Sequence, residues 1–209
     1  MRRWQRIVGA ALTVGLMMGC AGTSPPTRYY LLQPMPGPEA PKLQPGFDAA
    51  LTLGIGPVVF PDYLDRQQIV TRSDRNRVEL AEFDRWAEPL KENFTRVLKE
   101  NLATLLDTVD ILQEPWSIGD PVDCRLEIEV IRFDFDAQKT AILDARWRLV
   151  RETDDVLLGT GKSMRTAAAK GSDTIGIVSA LNQVLEDFSR EIGEQIRTLN
   201  LEEKVRQPA

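Results

Sequence analysis

The chain has two thiols, Cys20 and Cys124, and no histidine. Lack of histidine removes the commonest general base near neutral pH and the commonest metal ligand together. One thiol outside the first twenty residues cannot build a thiolate zinc site. None of the seven serines stands in a Gly-x-Ser-x-Gly elbow or precedes a lysine at Ser-x-x-Lys spacing. Gly159-Thr160-Gly161-Lys162-Ser163 has the ending of a phosphate-binding loop, but that loop needs a glycine where Val156 stands and must open a helix. Val156, Leu158 and Thr160 alternate instead, which predicts a strand. Carboxylates are plentiful, yet their spacing nominates no catalytic pair. Asn93-Phe94-Thr95 matches a glycosylation sequon but falls inside a predicted helix, and Cys124 fits a core position as a small hydrophobe.

Cys20 is the residue whose surroundings imply chemistry. Arg2, Arg3 and Arg6 open the chain, no acidic residue occurs before Glu39, and Ile7–Met18 is almost wholly apolar. This is a secretory pattern. Twelve helical residues span about 18 Å, short of the ~30 Å hydrocarbon core, so a permanent transmembrane helix is not expected. Leu16-Met17-Met18-Gly19-Cys20 resembles the lipobox of bacterial lipoprotein precursors, with Met17 in place of the more usual leucine. On that resemblance residues 1–19 are removed and Cys20 carries a diacylglyceryl thioether. At ~0.8 kcal/mol per buried methylene, several acyl chains would make the anchor effectively permanent. The alternative is an ordinary secretory signal with an incidental cysteine.

Cleavage there leaves 190 residues, enough for one domain with a real core. It also leaves 23 basic against 31 acidic residues, a balance that argues against nucleic acid and against direct docking of the charges on anionic lipid. With Cys20 acylated, only Cys124 remains and no intrachain disulfide can form.

Pro and Gly make residues 21–27 and 34–48 connectors, with a short strand, buried on both faces, expected over residues 28–33 between them. Residues 20–48 thus read as a lipidated N-terminus and linker, 49–199 as the folded domain and 200–209 as a loose tail. Leu51, Leu53 and Ile55 alternate with small polar residues, and Pro57 and Pro61 predict that Val58–Phe60 is an edge or loop segment. Gln68–Arg72 and Arg77–Glu82 read as a hairpin across Ser73–Asn76. Leu90, Phe94, Val97, Leu98, Leu102 and Leu105 form the stripe of a helix over 88–106. A short strand follows at 109–112. The strand from Cys124 changes phase after Val130, which predicts a bulge. Strands over 143–149 and 156–168 complete a meander. A final helix over 174–199, capped by Asp173 or Ser172, buries Ile175, Val178, Leu181, Leu185, Phe188, Ile192, Ile196 and Leu199. The fold class is α/β: a single-domain sandwich of a mixed, largely antiparallel sheet with two long amphipathic helices.

Gly54–Arg72, Leu80–Leu90 and Tyr29-Tyr30-Leu31-Leu32 together resemble the PqiC-type ABC-transport auxiliary lipoprotein family. Pro61–Arg72 and Arg85–Leu90 carry most of the likeness, and the match after Asp107 is in pattern more than identity. The resemblance implies a non-enzymatic periplasmic subunit of a lipid-transport system with no cofactor beyond covalent lipid on Cys20. Its implied partners are an MCE-domain protein and membrane permease components, and self-association into a homo-oligomer is compatible with it. It implies a lipid anchor facing the periplasm, the outer membrane being favoured because Ala21, not Asp, follows Cys20. Tyr63, Leu64, Arg66, Arg85, Trp86 and Glu88 are the expected partner surface, because aromatic and apolar groups on loops flanked by charges mark interfaces; packing of Tyr63 and Trp86 inside the fold is the alternative. Other functions left open are a stand-alone lipid carrier, an envelope hydrolase acting through carboxylates, and a structural lipoprotein.

Overall fold

The computed structural model describes residues 25–37, 51–106, 110–117, 119–171 and 173–199. The expected leader, Cys20, most of the second connector and the tail lie outside the described residues. Eight strands and two helices follow in order: β1 (Arg28–Tyr30), β2 (Leu53–Val59), β3 (Gln68–Arg72), β4 (Val78–Trp86), α1 (Leu90–Leu106), β5 (Ile111–Gln113), β6 (Cys124–Phe135), β7 (Thr140–Arg151), β8 (Leu157–Ala168) and α2 (Thr174–Thr198).

β6 is the axis of an open mixed sheet. On one side it pairs antiparallel with β7, and β7 with β8. Its other side is shared: β2 runs parallel to its first half and β3 meets its end at Thr71 opposite Phe135. β5 lies outside β2, while β4 and β1 lie outside β3. Antiparallel pairing dominates because the β6–β7 and β7–β8 ladders are the longest. The helices pack against each other on one face, α1 against β2 and β5, α2 against β7 and β8.

The register explains the phase change in β6. Val130 pairs with Ala145 and Arg132 with Asp144, so Ile131 is the extra residue of the bulge. Phe133 and Phe135 thereby return to the core face that Leu126 and Ile128 occupy. Phe94 of α1 meets Phe60, Phe133 and Phe188 with ring centroids 5.2, 5.3 and 6.4 Å apart, within the range where aromatic contacts are favourable. Gly159–Ser163 lies inside β8. A Cβ on Gly161 would come 2.7 Å from the Trp147 indole, so that glycine makes room for the ring.

The edge expected at Val58–Phe60 is observed: β2 runs through Pro57, but β5 flanks it only over Leu53–Ile55, so Val58 and Val59 pair with β6 alone and Phe60 lies past the strand. The ladder to β6 jumps between Ile55 and Val58, so the proline's missing N–H falls where no bond is required. Two expectations are corrected. Ile175 is 67% exposed, because the first turn of α2 sits at the rim of the sheet. β1 ends at Tyr30 and is not buried on both faces: it is an edge strand, and Tyr29 is 63% exposed.

After Tyr30 the chain leaves the sheet and lies along the helices as a strap, residues 31–35, burying Leu32 and Met35. Buried amides need partners. Leu32 N–H donates to Asn93 Oδ1 at 2.7 Å, Gln33 N–H to Asn182 Oδ1 at 3.1 Å and Met35 N–H to Asn101 Oδ1 at 2.8 Å. Asn101 Nδ2 donates onward to Ser189 Oγ on α2 at 3.0 Å. Asp84 of β4 completes the seat, accepting two bonds from Arg28 at 2.7 and 2.9 Å, one from Tyr30 OH at 2.9 Å and one from Thr174 Oγ1 at 2.9 Å. Burial opposes ionisation of Asp84, but these donors outweigh it and lower its pKa. Asp173 caps α2, accepting from Gly176 N–H at 3.0 Å.

Asn93→Ala strands the buried Leu32 N–H. Urea denaturation is expected to show a loss of about 1–3 kcal/mol, and a loss within experimental error would mean that the strap contributes nothing to the fold.

Candidate partner-docking surface

The six expected surface residues do not form one surface. Asp62–Leu64 is a single 3-10 turn that tucks Leu64 beneath the sheet end, leaving it 3% exposed. Trp86, 4% exposed, continues the helix-facing side of β4 opposite Tyr30. Both belong to the hydrophobic core, which corrects the expectation that they touch a partner. Glu88 sits beside α1 and accepts from Arg96 at 2.7 Å. Tyr63, Arg66 and Arg85 remain accessible in part or in full.

Tyr63 is held in place by its hydroxyl, which donates to Asp134 Oδ2 at 2.8 Å. Asp134 is 1% exposed and also accepts from Arg72 and Arg132. The Arg72 guanidinium lies 5.4 Å from the centroid of the Tyr63 ring. Burial pushes the Tyr63 phenol up to about 12, and the Asp134 charge acts in the same direction. Arg66 Nε donates to the Tyr63 carbonyl at 2.7 Å and closes the turn. Arg85 stands opposite Tyr29 on β4, and its Nε has no acceptor among the described residues.

This cluster is one end of a larger surface, the sheet face away from the helices. Arg125, Glu127 and Glu129 of β6, Asp144, Arg146 and Arg148 of β7, and Lys162 and Met164 of β8 project from it, as the alternation about the core-facing residues requires. Arg146 pairs with Glu129 at 3.3 Å, Arg148 with Glu127 at 3.1 Å and Lys162 with Asp144 at 3.7 Å. Val59, at 53% exposure, and Met164, at 61%, stand among these charges. A hollow of about 510 Å³ lies there, lined in part by Pro57, Val59, Arg146, Arg148 and Lys162. Trp116 and Val122 cover one end of this face at Gly54 and Tyr63 covers the other at Asp134; between them Val59, Arg146, Arg148, Lys162 and Met164 are exposed.

Its groups suit binding better than bond-making. The carboxylates named are tied to cations, so none is poised as a general base beside a free acid. No group of three or more acidic or thiol ligands occurs among the described residues. Cys124 is buried at 0% exposure, and burial, reinforced by Asp123 and Glu152, pushes its thiol up to about 12, far from a reactive thiolate.

A family model for the ABC-type transport auxiliary lipoprotein component matches residues 29–193, from β1 through most of α2. The chain belongs to that family. As an auxiliary lipoprotein it is a lipid-anchored envelope protein that serves an ABC-type transporter. Among solved structures, a crystal structure of an uncharacterized protein matches with a TM-score of 0.66 at 19% identity, covering 82% of this chain and 99% of the other. A DUF330-family protein from Xanthomonas campestris matches with a TM-score of 0.68 at 15% identity, covering 85% and 99%. These likenesses show a shared fold. No curated protein matches the chain in sequence.

Sequence reasoning passed over Asp134, Asp84, Arg72 and Arg132. The alternation of β6 does place Arg132 and Asp134 on the polar face, but the 71-residue separation between Tyr63 and Asp134 leaves no local signal of their contact.

Unfolded tyrosine ionises near ~10, and the fold holds Tyr63 near 12. Because the folded value is raised, the associated stability is whole below the unfolded pKa and is lost as pH rises through the folded one. Tyr63→Phe is expected to flatten the alkaline fall in stability relative to wild type across that window. Superimposable profiles in denaturant titrations at stepped alkaline pH would contradict this.

Proposed function

We propose that this auxiliary lipoprotein is cut before Cys20, acylated there and held at the outer membrane. In this reading it serves an MCE-type lipid-transport system and supports envelope integrity without catalysing a reaction. It binds an MCE-domain protein, and through it the permease components, with the exposed middle of that sheet face. One observation carries the reading: a sheet with helices on one side presents, on the other, Val59 and Met164 among interlocked charges. An interface core with a polar rim has this composition.

A stand-alone lipid carrier is the second reading, and it needs room for acyl chains between sheet and helices. Phe60, Phe94, Phe133 and Phe188 fill that space in mutual contact, which favours the accessory role. Lipid extraction of the purified protein discriminates the two: stoichiometric phospholipid supports the carrier.

The test is affinity recovery of the full lipidated chain from membranes. Wild type is expected to bring down an MCE-domain protein. Val59→Asp with Met164→Asp should reduce recovery about tenfold or more, since charge replaces exposed apolar contacts at an interface core. Incorporation of labelled palmitate should persist in that variant and vanish in Cys20→Ala. Recovery of no MCE-domain protein by wild type, or full recovery by the double variant, would overturn the proposal.

A further inference from the structure

Eight large hydrophobic side chains are exposed among the described residues, and five of them cluster at one rim: Tyr29, Leu31, Val78, Leu80 and Ile175. Tyr29 and Leu31 belong to β1 and its exit. Val78 and Leu80 lie on β4 next to the hairpin turn, and Ile175 is in the first turn of α2, whose Thr174 bonds Asp84. β1 covers β4 only at Asp84–Trp86, so Val78–Phe83 keeps its outer edge open among the described residues. Long open edges with apolar side chains are normally covered or blunted.

The direction of β1 says what lies against this rim. β1 is parallel to β4, with Arg28 opposite Asp84. Going back along the chain from Arg28 therefore leads toward Val78 and the turn at Ser73–Arg77. Pro25 and Pro26 stiffen that approach, since proline holds its own φ extended and disfavours helix in the residue before it. The eight residue steps from Arg28 back to Cys20 reach at most about 29 Å. β4 bulges between Leu80 and Arg85, which stand opposite Val70 and Gln68, so Asp84 to Val78 spans on the order of 12 Å along β3. A tether on Cys20 can therefore span the open edge of β4, and its limited reach keeps Arg28, and with it this rim, within about 29 Å of the surface that holds the lipid.

We propose that this rim rests on the phospholipid surface in which the Cys20 lipid is embedded. Val78, Leu80 and Tyr29 enter the headgroup region, and Arg75 at the turn meets lipid phosphates. The sheet face described above is then held beside the membrane, free for a protein partner. The inference rests on acylation of Cys20, and its failure is separable from failure of that reading.

The full lipidated chain is reconstituted in phosphatidylethanolamine–phosphatidylglycerol vesicles carrying headgroup-level nitroxide lipid. A fluorophore is placed on Arg75→Cys or, as a reference on the opposite sheet edge, on Leu157→Cys; Cys124 is buried and does not compete. Quenching is expected at 75 and not at 157. Val78→Ser with Leu80→Ser should cut the quenching at 75 by about threefold or more, as buried apolar area governs interfacial binding, while the protein still floats with vesicles. An unquenched label at 75 on floating protein overturns the rim proposal and leaves anchoring intact. Protein that does not float overturns both.

Discussion

Leu32 and Met35 can be buried between α1 and α2 only if their backbone N–H groups find acceptors there, because an unpaired amide in that environment costs about as much as the apolar burial gains. Side chains on the helices supply those acceptors. Asn93 and Asn101 stand eight residues apart on α1, and Asn101 also bonds Ser189 of α2. The strap is thereby keyed to both helices, and Asp84 ties its preceding strand to β4 and to the start of α2. The segment after β1 is consequently part of the domain.

With strap and helices on one side, the middle of the other side of the sheet stays exposed between Trp116 and Tyr63. β6 serves both sides at once. Leu126, Ile128, Phe133 and Phe135 face the helices, while Glu127, Glu129, Arg132 and Asp134 face away. The bulge at Ile131 lets one long strand keep both assignments while its curvature brings Asp134 under Tyr63 and Arg72. The buried carboxylate ties to the sheet a turn that Arg66 closes and Leu64 anchors in the core. Exposed surface chemistry here thus depends on buried polar contacts.

Most of the architecture was legible in the sequence because periodicity reports which residues face a core. The helix stripes, the β3–β4 hairpin, the β6 bulge and the Asp173 cap all leave local patterns. Misreadings arose where tertiary context decides. Trp86 and Leu64, flanked by charges, look like interface anchors, yet the 3-10 turn and the side of β4 turn them inward. The asparagines of the strap read as ordinary polar helix residues, and Asn93 as part of a sequon, because nothing local shows that a segment sixty residues away will bring its amides to them.

The central claim is that the strap folds as one cooperative unit with the domain, and native-state hydrogen exchange tests it directly. The account predicts that the amides of Leu32 and Met35 exchange only through the global unfolding that releases the core amides of β6 and β7. Exchange at those two positions through a low-energy local opening, with β6 and β7 still protected, would contradict it.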